Sequence, residues 1–99
     1  MGFLIIALDL VPQCFTYSDG RTVGQEIERA IGDGNVVTLS FHGVTNVPSS
    51  FVNGLVIPLI DRLSVSIVKS KLRIVDSTRQ INSLIRSRVE ETALQAVAC

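Results

Sequence analysis

NVVTLSFHGVTNVPSSFVNGLVIPLI, residues 35–60, changes its hydrophobic period once along its length. In NVVTLSF, residues 35–41, Val37, Leu39 and Phe41 alternate with Val36, Thr38 and Ser40, the two-residue repeat of a β-strand, and the β-branched content agrees. This reads as a central strand. HGVTNVP has no period and ends in Pro48, which restricts Val47 to extended backbone and suits the start of a helix. From Ser50 to Leu63 apolar residues recur at every third or fourth position on more than one face, so a largely buried helix follows. Pro58 lies inside that helix. It lacks an amide donor and crowds the preceding turn, so a kink or a split is expected there.

Working outward, FLIIALDL (residues 3–10) is a continuous apolar run stopped by Pro12, the pattern of a strand buried on both faces. QCFTY (13–17) reads as a weaker second strand and SDG (18–20) as a turn. Thr22 with Gln25 has capping-box spacing, which starts a helix near Val23. Val23, Ile27, Ala30 and Ile31 share one face of it, and Gly32 ends it. Downstream, SVSIVKS (64–70) is a short helix or turn, and KLRIVD (71–76) is a strand with Leu72 and Ile74 on one face and Val75 on the other. Asp76, Ser77 or Thr78 caps a last helix whose apolar stripe is Ile81, Leu84, Ile85 and Val89. The order strand, strand, helix, strand, helix, strand, helix predicts an α/β fold with a mixed, mostly parallel β-sheet covered by helices. Val37, Leu39, Phe41, Leu55, Ile74 and Leu84 are the expected shared core.

Ninety-nine residues suit one domain, taken as 1–99, and 46% apolar against 18% charged residues exclude a disordered chain. Nine basic and nine acidic side chains cancel, removing the general attraction that nucleic-acid binders use. The cations do crowd the C-terminal third, as Lys69, Lys71, Arg73, Arg79, Arg86 and Arg88, which is read as a solvated face. MGFLIIALDLV has no positive n-region, contains Asp9, and is far shorter than the ~20 apolar residues of a membrane span, so no membrane role is expected. Cys14 and Cys99 have no C-x-x-C spacing, and His42 is distant from both, so no metal or other cofactor is expected. A disulfide between the two cysteines stays open, the simpler reading being a reduced, cytoplasmic protein. SDGRTVG lacks both phosphate-loop spacings, His42 has no nucleophile near it in sequence, and Asp9 has no second carboxylate at helpful spacing. No enzymatic activity is expected.

Two adjacent hydroxyls, Ser49 and Ser50, stand where the loop meets the buried helix. VVTLSFHGVTNVPSSFVNGL resembles the core signature of STAS domains, the fold of the anti-sigma factor antagonists, in which a strand leads through V-x-x-x-D-S-S-G into a helix. Val44 matches the loop valine and Ser49 and Ser50 match the two serines, while Pro48 occupies the aspartate position and Phe51 the glycine position. SDGRTVGQEI (18–27) and SSF (49–51) are similar to segments of small bacterial STAS-like proteins of uncharacterised function. The likeness spans roughly residues 4–88.

The resemblance implies a regulatory protein–protein interaction module, controlled by serine phosphorylation by a partner that is a histidine-kinase-type ATPase. It makes Ser50 the first phosphorylation candidate and Ser49 the second. Asn46, Pro48, Ser49, Ser50 and Asn53 form the expected partner-binding end, with Ser49 as the helix N-cap. A hydroxyl that merely caps a helix, contributing about 1 kcal/mol, is the plainer account of either serine. The alternative function is a constitutive structural or self-assembling component of a bacterial stress or defence complex, and a homo-oligomer is compatible with both.

Overall fold

The computed structural model describes residues 2–98, and the side chains of residues 2–94. The elements run β1 (Gly2–Ile6), α1 (Ala7–Leu10), α2 (Tyr17–Gly32), β2 (Val36–Ser40), α3 (Ser49–Leu63), α4 (Val65–Lys71), β3 (Leu72–Val75) and α5 (Arg79–Ala98). The three strands form one parallel sheet in the order β1-β2-β3, with Ile5 opposite Leu39 and Leu39 opposite Ile74. The fold is therefore the expected α/β type, with a wholly parallel sheet and β2 at its centre.

That register puts Phe3, Ile5, Val37, Leu39, Leu72 and Ile74 on one face of the sheet, and the helices pack there. Crossovers that share one hand, joining strands laid down in simple sequence, place their helices on the same side. The opposite face carries Leu4 and Val75, 61% and 38% exposed, with Arg73 exposed on edge strand β3, Ile6, Val36 and Thr38 half-buried, and Ser40 buried. Parallel sheets are ordinarily covered on both faces. This one is covered on one.

Four expectations at the N-terminal end are corrected. FLIIALDL is a strand only to Ile6, because Ile6 pairs with Ser40, the last residue of β2, and beyond it no ladder partner remains. The chain turns into the single helical turn α1, and β1 is an exposed edge strand rather than one buried on both faces. QCFTY forms no strand; it is the lead-in to α2. Nor does SDG turn the chain. The operative capping box is Thr16–Asp19 rather than Thr22–Gln25: the Asp19 amide donates to Thr16 Oγ1 at 3.0 Å, and the Thr16 amide donates to Asp19 Oδ2 at 3.1 Å. α2 thus starts six residues earlier than Val23 and absorbs Ser18, Asp19 and Gly20. Its end at Gly32 is as expected.

α2 and α3 lie against each other along their length, with backbone touching backbone. A Cβ on Gly20 would collide with the Phe51 carbonyl oxygen, and one on Gly54 with the Tyr17 carbonyl oxygen. Those two glycines set the helix separation. α3 runs unbroken through Pro58, which forfeits the hydrogen bond to the Gly54 carbonyl but does not split it; buried Val56, Leu59 and Ile60 hold both sides in place. Ser64, at φ +88°, ends α3 and caps α4, its Oγ accepting from the Ile67 amide. Val37, Leu39, Phe41 and Leu55 are fully enclosed, whereas Ile74 and Leu84 pack half-buried on the core margin. No single helix among the described residues is long and apolar enough to cross a membrane; α3 and α4 would qualify only jointly, and they meet at 110°.

Candidate functional site

In a parallel sheet all strands end on one side, and the segments leaving those ends converge there. Here they are α1 with residues 11–16, the loop 41–48, and residues 76–78. The N-termini of α2, α3 and α5 rise from the same side. Ser49 and Ser50 are at its middle, as the first two residues of α3, both exposed.

The start of α3 is not closed by its own side chains. Pro48, at ψ 164°, is the N-cap, and no side chain caps the helix, so Ser49 is its first residue and not its cap. Remote residues hold the segment instead. The Val47 amide donates to Gln80 Oε1 at 3.0 Å, and Gln80 Nε2 donates back to the Val47 carbonyl at 2.8 Å, so one amide side chain clamps an extended residue as a strand would. Thr78 Oγ1 donates to the Thr45 carbonyl at 2.9 Å while accepting from the Ile81 amide, which makes Thr78 the cap of α5. Beneath the surface, Phe51 meets Phe41 edge to face with ring centroids 6.2 Å apart, both rings fully buried. The phenylalanine at the family's glycine position is thus the anchor that fastens α3 to the end of β2.

Ser50 points across to the lead-in of α2. Its Oγ donates to the Phe15 carbonyl at 3.0 Å. The Phe15 and Thr16 amides are both taken by the Asp19 carboxylate. The Thr16 amide above all, with the Phe15 amide and the Thr16 hydroxyl, holds the Asp19 carboxyl below its ordinary pKa. Phe15 and Tyr17, 54% and 50% exposed, stand side by side on this surface. Behind them a groove of about 230 Å³ is lined by Leu8, Pro12, Phe15, Gly43, Val44 and Asn46. Gly43 has φ +85° and faces Leu8 Cδ1, so neither its conformation nor its space suits a side chain.

Of the expected site residues, Asn46, Pro48, Ser49 and Ser50 lie on this exposed end together. Asn53 is one turn into α3, half-buried, with its Oδ1 enclosed and without a hydrogen-bond partner. Cys14 is buried and unpaired among the described residues, and burial, aided by the nearby Asp19 charge, pushes its thiol pKa up to about 11. Cys99 lies outside the described residues, so their pairing is open. Asp9 is exposed in α1 rather than ending a strand at a cleft, and His42 is exposed just beyond β2. Ser40, 3% exposed, donates to Asp76 Oδ2 at 2.8 Å and accepts from the His42 amide, tying the ends of β2 and β3 together. Asp76 is left-handed at φ +52°.

Phe15 and Gln80 are contributors here that the reading of the sequence does not name; Thr78 is among the residues expected to cap α5, but its bond to the Thr45 carbonyl is not foreseeable from the sequence. The Thr16-x-x-Asp19 spacing was a usable signal for Phe15. Nothing local marks Gln80, which acts 33 residues away from its partner.

A one-sided parallel sheet with an exposed serine pair opening the buried helix beyond its central strand is an α/β arrangement consistent with a STAS-like domain. The chain belongs to the family described as STAS-like domain of unknown function (DUF4325), whose model matches residues 19–82 and so takes in α2, β2, the serine pair and β3 but not β1. No curated protein and no solved structure matches the chain.

Proposed function

We propose that this protein is a non-enzymatic regulatory interaction module of the cytoplasm, resembling the anti-sigma factor antagonists, which docks a protein partner through the Ser49 and Ser50 end and is switched by phosphorylation of Ser50. The observation that carries this reading is the hydrogen bond from Ser50 Oγ to the Phe15 carbonyl. It links the hydroxyl to a surface bearing two exposed aromatics, the residue type most enriched where proteins meet. A phosphate ester at Ser50 has no proton to donate to that carbonyl near neutral pH and brings about −1.5 to −2 charge beside it. The 11–16 segment then loses one of its ties, and Phe15 with it.

The donor of the phosphoryl group is ATP, through a partner of the histidine-kinase ATPase type. The test is to incubate the protein with ATP and an ATPase of that type encoded beside it, and to read the intact mass. One added phosphoryl group, absent in Ser50→Ala, is expected, together with weaker capture of the ATPase by Ser50→Asp at an unchanged thermal midpoint. Modification elsewhere, or none in the presence of a bound ATPase, would reject the switch.

The bare face of the sheet favours a second reading, a constitutive self-assembling component. Leu4 and Val75 on that face are exposed large apolar side chains. Sedimentation at micromolar concentration distinguishes the two: an oligomer that Leu4→Lys with Val75→Lys reduces to monomers, and that Ser50→Asp does not alter, supports assembly over switching.

A further inference from the structure

A second surface, remote from the serine pair, combines shape and charge. Between α4, β3 and α5 lies a groove of about 470 Å³ floored by Val68, Leu72, Ile74, Ile85 and Val89. Val68 is buried and the other four are half-buried, so the floor is an apolar strip within the covered side of the sheet that no helix among the described residues fills. Its rim carries Lys69 on α4 and Arg86 on α5, with Glu90 the one acidic group lining it. Lys71 adjoins it at the end of α4, and Arg73 adds to the local potential from the other side of β3. None of these four cations takes part in an ion pair among the described residues, whereas Arg29, Arg62 and Arg88 all do. In a chain of zero net charge, this is where unpaired positive charge collects.

We propose that this groove receives an amphipathic helix of a protein partner, with leucine-like side chains on its apolar face and carboxylates flanking it. The apolar floor has room for a few large side chains at helical spacing, the mode by which helices are bound in grooves. Carboxylates on either side meet Lys69 and Arg86, and those contacts steer the encounter as well as orient it. A bilayer is a poorer occupant, since a concave strip cannot be pressed against a flat surface. Single-stranded nucleic acid is poorer still, because the floor has no aromatic ring on which a base could stack. The inference is independent of Ser50 phosphorylation, which concerns the first turn of α3, since no residue lining this groove belongs to α3.

The experiment uses the full chain and a synthetic peptide of about fourteen residues with leucines at helical spacing and glutamates on the remaining positions. Fluorescence anisotropy is expected to show saturable binding, weakened about tenfold or more by Lys69→Glu with Arg86→Glu. Replacing the peptide's glutamates with lysines should have the same consequence. Amide shifts on peptide addition are expected in residues 68–74 and 85–90 and not in 46–53. Ser50→Asp should leave the affinity unchanged, which keeps this result separate from the switching proposal. Absence of binding, equal binding by the charge-reversed protein, shifts confined to the serine end, or stronger partition onto anionic phosphatidylglycerol vesicles than onto the peptide would each overturn the proposal.

Discussion

α2 and α3 begin side by side on the same surface, yet they are started by opposite means. α2 is closed locally: Thr16 and Asp19 exchange hydrogen bonds over three residues. α3 opens on a proline without any side-chain cap, and its position is imposed from afar by Phe41, Gln80 and Thr78. A local cap uses its polar side chains up. Remote anchoring leaves the first-turn hydroxyls of α3 directed outward, one to solvent and one to Phe15. An uncapped helix start thus makes residues available for recognition, provided the tertiary structure holds the helix in place.

The contrast breaks most sharply at the anchor. Phe51→Ala removes a fully buried ring and its edge-to-face partner, and is expected to lower the unfolding free energy by about 3–5 kcal/mol in urea titration. A loss under 1 kcal/mol would show that α3 is held by something else. Gln80→Ala comes next. It leaves the amide and carbonyl of buried Val47 without partners, and a loss of about 1–3 kcal/mol is expected, with faster hydrogen exchange at Val47.

The local cap should matter less. Thr16→Ala is expected to reduce stability by about 1 kcal/mol, and the other half of the box, the Asp19 carboxylate, titrates in a defined direction. Because Asp19 has a depressed pKa in the folded state, its stabilisation is present above its ordinary value of 3.8 and is lost as the pH falls through the lower folded value. Wild type and Asp19→Ala should therefore converge in acid, whereas the Thr16→Ala deficit, which leaves both backbone donors to the Asp19 carboxylate in place, should persist. Cys14 works in the other direction. Its raised pKa leaves its contribution intact below 9.0 and removes it as the pH rises toward about 11, so stability should decline over that alkaline window and Cys14→Ser should flatten the decline. Smallest of all is Ser49→Ala. A first-turn residue that is not the cap should change the thermal midpoint by no more than about a degree, and a drop of several degrees would restore a capping role to Ser49.

How much of this was legible depended on whether the cause was local. The alternation through Val37, Leu39 and Phe41, the buried run after Ser50, and the Leu72 and Ile74 pairing all survive because one-sided or complete burial writes itself into the period. The start of α2 is hidden in the sequence because Gly20 in SDG has the look of a turn residue, whereas its missing side chain serves the contact with Phe51. β1 was drawn too long because an apolar run does not record where its ladder partner stops. The serine pair and its exposure could be read from position. Its bond to Phe15 and the Gln80 clamp could not, since they depend on which distant residues the topology brings together.

The strand order carries one more consequence, for the time the chain takes to find this structure. Both pairings are parallel and join residues about 35 positions apart, so no hairpin exists to nucleate the sheet and each ladder must await a full crossover. α2 and α3, whose contact needs no strand, are suited to collapse first, with β2 recruited between its neighbours afterwards. Until then GFLII is an unpaired apolar strand without a charge or proline to guard it, and newly made or refolding protein is most prone to aggregate during that interval.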